Sequence, residues 1–135
     1  MTVLVLLLTG LIFGLDVQQT SCCPENCTCK IDDLAISSKK SFIAECKGLP
    51  YVPQVPSNVT LFILVNFSKE DFPRGSFINK TTSTWLEIRW SSLKVLNNQS
   101  FEGIDKQLGR LSITDSQLES IGDETFVRMR NLRRL

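Results

Sequence analysis

The feature that most constrains this chain is a set of residues that recurs when the sequence is shifted by 25 positions. The first copy contains Leu86, Ile88, Ser91, Leu93, Leu96, Phe101 and Ile104. The second copy contains Leu111, Ile113, Ser116, Leu118, Ile121, Phe126 and Met129. Matches at a single offset over this length indicate an internal structural repeat. Because one such unit cannot bury its apolar faces alone, the units are expected to stack on one another.

The spacing within each copy resembles the leucine-rich repeat, L-x-x-L-x-L-x-x-N-x-L, with serine where asparagine is commonest. The resemblance implies an α/β-type solenoid, a horseshoe segment with short parallel strands on its concave face. The convex side is then expected to be irregular or 3₁₀-helical. Residues 59–135 would hold about three repeats and a truncated fourth that begins in N-L-R-R-L. Stacked arrays of this kind are typical of binding proteins.

The first repeat is irregular and permits two strand registers. Phe62 and Leu64 fit the motif 24 positions before the next repeat, whereas Leu61 and Ile63 fit it one residue earlier. A slip of one residue turns every side chain of a strand to the opposite face. We favour the register with Leu61 and Ile63 inward. Asn66 then takes the asparagine position of the motif, where its amide bonds the turn backbone and cannot carry a glycan.

The N-terminus carries an apolar run over residues 3–15. This run is shorter than the roughly 20 residues that a membrane helix needs. Its length and position are typical of a secretory signal, so we predict a signal peptide over residues 1–21. The alternative is an N-terminal membrane anchor or a buried helix. No second apolar run follows, so no membrane span is expected elsewhere in this stretch.

All five cysteines lie in the first third of the chain: Cys22, Cys23, Cys27, Cys29 and Cys46. A cysteine cluster behind a signal peptide favours disulfides formed in an oxidising compartment. Zinc is the alternative, but the chain has no histidine and a C-x-C pair is not the usual zinc spacing. The spacing of four cysteines leaves three connectivities open, and the odd number leaves one thiol over.

The cysteine segment is similar to the N-terminal cap of extracellular leucine-rich repeat proteins. It shares C-P-x-x-C-x-C and, after a gap, C-x-x-L-x-x-V-P-x-x-V-P. That family includes Toll-like receptors, Slit-type guidance proteins, glycoprotein-hormone receptors and small leucine-rich proteoglycans. The resemblance implies a cap over residues 22–58 with bridges Cys23–Cys29 and Cys27–Cys46. Cys22 is additional and is able to take the place of Cys23 in its bridge.

Five N-x-S/T sequons begin at Asn26, Asn58, Asn66, Asn79 and Asn98. In an exported chain this number predicts N-glycosylation. We expect the acceptors to be Asn58, Asn79 and Asn98. Asn79 and Asn98 lie on segments that would return over the convex side, where a bulky glycan does no harm.

Strand alternation identifies a candidate binding face, because successive side chains point to opposite sides of a sheet. If Leu86 and Ile88 point inward, their neighbours face the partner. The predicted partner-binding residues are Trp85, Glu87, Arg89, Trp90, Arg110, Ser112 and Thr114. Stacking is expected to place Trp85 beside Arg110, Glu87 beside Ser112 and Arg89 beside Thr114. The alternatives are that Trp85 packs on the elongated cap, or that Glu87 and Arg89 are ordinary solvated charges.

The remaining composition argues against other classes of function. A formal net charge of +1 without a basic stripe argues against nucleic-acid binding. The chain has no histidine and lacks G-x-S-x-G and G-x-G-x-x-G motifs, so we expect neither an enzyme nor a cofactor. We expect an extracellular protein–protein recognition module from the N-terminal part of a cell-surface receptor ectodomain, with an extracellular protein ligand or co-receptor. The alternatives are a secreted matrix or proteoglycan-like protein and a free-standing secreted decoy.

Overall fold

Short strands make up the regular structure of this protein. The computed structural model describes residues 23–32 and 41–135, so the predicted signal peptide and Cys22 lie outside the described residues. The strands are β1 Cys27–Asp32, β2 Ser41–Lys47, β3 Leu61–Val65, β4 Trp85–Arg89, β5 Val95–Leu96, β6 Arg110–Thr114 and β7 Ser120–Ile121. Across these described ranges there is no helix, and hence none that could cross a membrane. The connecting segments are irregular, which is one of the two forms expected for the convex side, and the helical component of an α/β-type solenoid is not found in these ranges.

Five strands form one sheet in the order β1-β2-β3-β4-β6, and β5 pairs with β7 in a second, two-stranded sheet. β1 and β2 are antiparallel, whereas the later pairs in the large sheet are parallel. β4 and β6 pair in the register Leu86↔Leu111 and Ile88↔Ile113, which is the 25-residue offset of the sequence. The predicted neighbours Trp85↔Arg110, Glu87↔Ser112 and Arg89↔Thr114 are thereby confirmed.

The register favoured for the first repeat is wrong. β3 and β4 pair as Phe62↔Leu86 and Leu64↔Ile88, so Phe62 and Leu64 continue the buried row of the next strand. Leu61 and Ile63 lie in a separate cluster, on the other face of the sheet. The segment L-F-I-L-V is apolar on both faces, so alternation of polarity does not distinguish the two registers.

The physical reason for the observed register lies in the residues after β3. Phe67 is buried at the position that Ser91 holds after β4, and its ring centroid lies 4.8 Å from that of Phe72. Asn66 is exposed, with a φ of 56°. Placing Phe67 inside buries a large apolar ring, which outweighs the amide hydrogen bonds that Asn66 would make there.

Phenylalanine rings fill the interior between the large sheet and the segments that connect its strands. Neighbouring ring centroids are 4.9 Å apart for Phe72–Phe77, 6.0 Å for Phe77–Phe101 and 6.5 Å for Phe101–Phe126. These spacings are in the range of favourable aromatic contacts. The column of rings joins successive 24- and 25-residue units into one continuous core.

The connecting segments are built from turns. The Ile78 N–H donates to the carbonyl oxygen of Gly75 at 3.1 Å, and the equivalent bond 24 residues later, from Glu102 to Gln99, is 3.3 Å. Gly103 has a φ of +103°, and a Cβ atom there would lie 2.6 Å from the backbone nitrogen of Ile78. Only glycine allows the two neighbouring connections to approach this closely.

Two disulfides brace the N-terminal hairpin. They join Cys23 to Cys29 and Cys27 to Cys46, with Cα–Cα separations of 5.7 Å and 4.0 Å. Both match the pairing that the sequence resemblance implies. Cys27 and Cys46 face each other across β1 and β2, and Cys46 also pairs with Leu64 of β3. The bridge therefore fixes β1 to the same sheet that holds the core.

Candidate functional site

The outward face, defined here as the face of the large sheet opposite the phenylalanine core, carries six of the seven predicted partner-binding residues. In β4, Leu86 and Ile88 are fully buried, and the three residues that alternate with them lie on the outward face. In β6 the same alternation leaves three residues outward, one strand away. These six residues are Trp85, Glu87, Arg89, Arg110, Ser112 and Thr114.

Trp85 and Arg110 form the best-defined contact on this face. The guanidinium carbon of Arg110 lies 4.0 Å from the centroid of the Trp85 ring, within the range of a cation–π interaction. The Trp85 indole nitrogen Nε1 is buried and has no hydrogen-bond partner among the described residues. An unsatisfied buried N–H costs about 1–3 kcal/mol, so the placement of the Trp85 ring is held by the other contacts that it makes.

A second pair on the outward face is ionic. Arg89 donates to the carboxylate of Glu87 on the same strand, and the two side chains are 44% and 13% exposed. Because Arg89 remains accessible to solvent, the pair contributes little stability by itself. It fixes the position of the guanidinium, which still has donors free for a second acceptor. Next to it, Ser112 is half-buried and Thr114 is exposed.

An apolar cluster lies on the same face, and it includes Ile43 of the predicted cap, in keeping with the alternative that Trp85 packs on the cap. Ile43, Leu61 and Ile63 are only 7%, 9% and 5% exposed, and Val65 and Trp85 pack against them. We call these five residues the outer cluster. Ile43 pairs with Leu61, which pairs with Trp85, so the cluster continues across three neighbouring strands. The other register of β3, with Phe62 and Leu64 inward, places Leu61 and Ile63 on this face. The sequence analysis predicts no strand at Ile43.

Trp90, the seventh predicted residue, lies beyond the end of β4. Its φ is 55°, and Asn66 after β3 and Asp115 after β6 have the same left-handed conformation, with φ values of 56° and 54°. The Asn66 N–H donates to Arg89 O at 3.0 Å, and the Trp90 N–H donates to Thr114 O at 3.1 Å. The three residues therefore form a row across the strand ends, which we call the strand-end row. Trp90 is 63% exposed.

The predicted glycan acceptors Asn58, Asn79 and Asn98 are all exposed, as are Asn26 and Asn66. Asn98 lies in a turn that is stabilised by Asn97, whose side-chain amide oxygen accepts a hydrogen bond from the Gln99 N–H at 2.8 Å. None of the five asparagines is enclosed by the fold. In the observed register of β3, Asn66 is exposed and is therefore also accessible as a glycan acceptor.

Lys94 and Glu70 form an ion pair elsewhere on the surface. Lys94 donates to the Glu70 carboxylate at 3.1 Å, and this hydrogen bond, together with the negative charges of Glu70 and Glu119, raises the pKa of Lys94. The Lys94 N–H also donates to Glu70 O at 2.7 Å, so the pair joins two connecting segments. Within the described ranges, no group of three or more histidine, cysteine or acidic residues could hold a metal ion.

Comparison with protein-family models finds no matching family, and comparison with curated proteins finds no similar sequence.

Proposed function

We propose that this chain is the N-terminal part of an exported leucine-rich repeat protein whose outward face recognises another protein. The parallel strands β3, β4 and β6 begin at residues 61, 85 and 110, so one strand recurs in each unit of 24 or 25 residues. Aligned pairing of equivalent residues in neighbouring units supports a solenoid, in which each unit contacts the units beside it.

Export is supported by the two disulfides and by the sequons. Structural disulfides form in oxidising compartments, so the Cys23–Cys29 and Cys27–Cys46 bridges are compatible with a secreted protein or an extracellular domain. Exposed asparagines in all five sequons would accept glycans without disturbing the core. We propose that the chain lies outside the cell, as part of a cell-surface receptor ectodomain.

The observation that carries the recognition proposal is the Trp85–Arg110 contact. Tryptophan and arginine are the residue types that most often dominate interface energies. The Arg110 guanidinium offers hydrogen-bond donors beside the indole ring, so the complementary group on the partner is a carboxylate or a backbone carbonyl. The neighbouring outer cluster supplies apolar surroundings, in which such a polar contact is strengthened because water is excluded.

Truncation of the outward side chains should weaken partner binding without preventing secretion. We expect Trp85→Ala and Arg89→Ala each to cost about 1–3 kcal/mol of binding free energy, the range for interface anchors. The measurement is the affinity of the purified secreted variants for an extracellular protein identified by screening ectodomains against the parent chain. Val127→Ala, at an exposed side chain outside the large sheet, is the matched control and should bind normally. Normal binding by both outward-face variants would contradict the assigned face.

The coding sequence beyond codon 135 tests the receptor part of the proposal. A membrane span followed by a cytoplasmic domain is expected. A stop codon at that point would favour a secreted decoy, and a capped secreted end would favour a matrix protein.

A further inference from the structure

The strand-end row brings an exposed sequon asparagine next to an exposed tryptophan. Val65 pairs with Arg89, so the residues that follow them, Asn66 and Trp90, are also neighbours on adjacent strands. Adjacent strands are about 4.8 Å apart, which is within the reach of one sugar ring attached to the asparagine. Both residues have a left-handed backbone that is held by a hydrogen bond to the next strand.

Trp90 is unusual for its position. Bulky residues with positive φ are uncommon, and the left-handed region is mostly occupied by glycine, asparagine and aspartate. Asn66 and Asp115 follow that preference, whereas Trp90 does not. The Trp90 ring is also largely in water, although aromatic rings are usually buried. An outlier of this kind at the rim of a binding face indicates a functional reason for the residue.

We propose that Asn66 carries an N-linked glycan and that its first N-acetylglucosamine ring packs on the indole of Trp90. The proposal rests on the export proposed above, because the glycan is transferred only in the secretory pathway. Asn66, Phe67 and Ser68 form the sequon. Transfer takes place on the unfolded chain, so later burial of Phe67 does not prevent it, and the exposed Asn66 side chain leaves room for the sugar.

The contact has a chemical basis in both partners. One face of a pyranose ring presents mainly C–H groups, and the π-face of an indole carries partial negative charge. Packing the two faces removes apolar surface from water while the hydroxyl groups of the sugar stay solvated. The glycan would then cover the strand-end row beyond the carboxyl ends of β3 and β4. The outward side chains of β4 and β6, Arg89 included, would stay open to a protein partner.

Occupancy of Asn66 is tested by peptide mass spectrometry of the full chain secreted from eukaryotic cells. Enzymatic removal of the glycan converts the acceptor asparagine to aspartate, which we expect at position 66. Ser68→Ala should abolish that conversion, while the backbone bond from Ser68 N–H to Leu49 O is retained. Glycans on Asn79 and Asn98 but not on Asn66 would overturn this inference alone. A secretion defect with no sequon modified would also overturn the export proposal.

The contact itself is tested by thermal melting of the same protein. Trimming each glycan to its first sugar should leave the Tm unchanged, whereas complete removal should lower it by a few degrees. Trp90→Ala should lower the Tm of the glycosylated chain but have a smaller effect in the Ser68→Ala background, as expected for a coupled pair. Asp115→Ala, at the equivalent position one strand away, should have the same effect in both backgrounds. Equal shifts for Trp90→Ala in both backgrounds, or no Tm loss on complete deglycosylation, would overturn the contact.

Discussion

Replacement of Leu86 by alanine is expected to cost about 2–5 kcal/mol of folding free energy, because the substitution leaves a cavity in a packed interior. Leu86 is fully buried and lies in register between Phe62 on β3 and Leu111 on β6. A cavity there would weaken the packing of all three strands on the phenylalanine core. Ile88→Ala should have an effect of similar size for the same reason. Chemical denaturation of the purified secreted protein measures the loss.

The matched control for Leu86→Ala is Thr114→Ala, at an exposed residue on the neighbouring strand of the same sheet. It should change stability by less than about 0.5 kcal/mol, as is usual for surface substitutions. Leu86→Ala should also lower the secreted yield more than Thr114→Ala does, since destabilised chains are retained and degraded. If Thr114→Ala abolished secretion while Leu86→Ala had no effect, the two faces of the sheet would have been assigned in reverse.

Removal of the Cys27–Cys46 bridge is expected to be the second large loss. The two cysteines are 19 residues apart, and the chain-entropy model gives roughly 3 kcal/mol for a loop of this length. The Cys23–Cys29 bridge spans 6 residues, so its removal should cost less, roughly 2 kcal/mol. Each bridge is removed by replacing both of its cysteines with serine, and the stability of each double variant is measured by denaturation.

Non-reducing peptide mapping provides the control for this comparison. The parent chain should yield peptides that link Cys27 to Cys46 and Cys23 to Cys29. A peptide linking Cys22 to Cys29 would show that Cys22, rather than Cys23, forms the short bridge. Free thiols at all five positions in secreted material would contradict both bridges and, with them, the support for the proposed export.

The register of β4 and β6 could be predicted because both strands alternate between apolar and polar residues. Leu86 and Ile88 are separated by Glu87, so only one face of the strand can enter the core. β3 has no such signal, since L-F-I-L-V is apolar throughout. Its register is determined by the residues that follow it, because Phe67 is buried there.

The disulfides and the outer cluster differ in how far the sequence predicts them. Spacing left three connectivities open, and only the resemblance to capped extracellular proteins selected the two bridges that are observed. The outer cluster depends on Ile43, which belongs to a strand that pairs with β3 across a long sequence separation. Non-local pairing of this kind has no local sequence signature. For the same reason the sequence predicts that Arg110 lies beside Trp85, but not that its guanidinium stacks on the indole ring.

The most direct test of the recognition proposal is the partner affinity of Arg110→Ala, compared with Arg128→Ala. Both arginines are on the described surface, but Arg110 lies on the Trp85 ring, whereas Arg128 is an exposed residue outside the strands. If the outward face binds the partner, Arg110→Ala should weaken binding about tenfold or more, as expected for loss of an interface anchor. Arg128→Ala should bind like the parent chain. Equal affinities for the parent and both variants would contradict the proposal that the Trp85–Arg110 contact forms the recognition site.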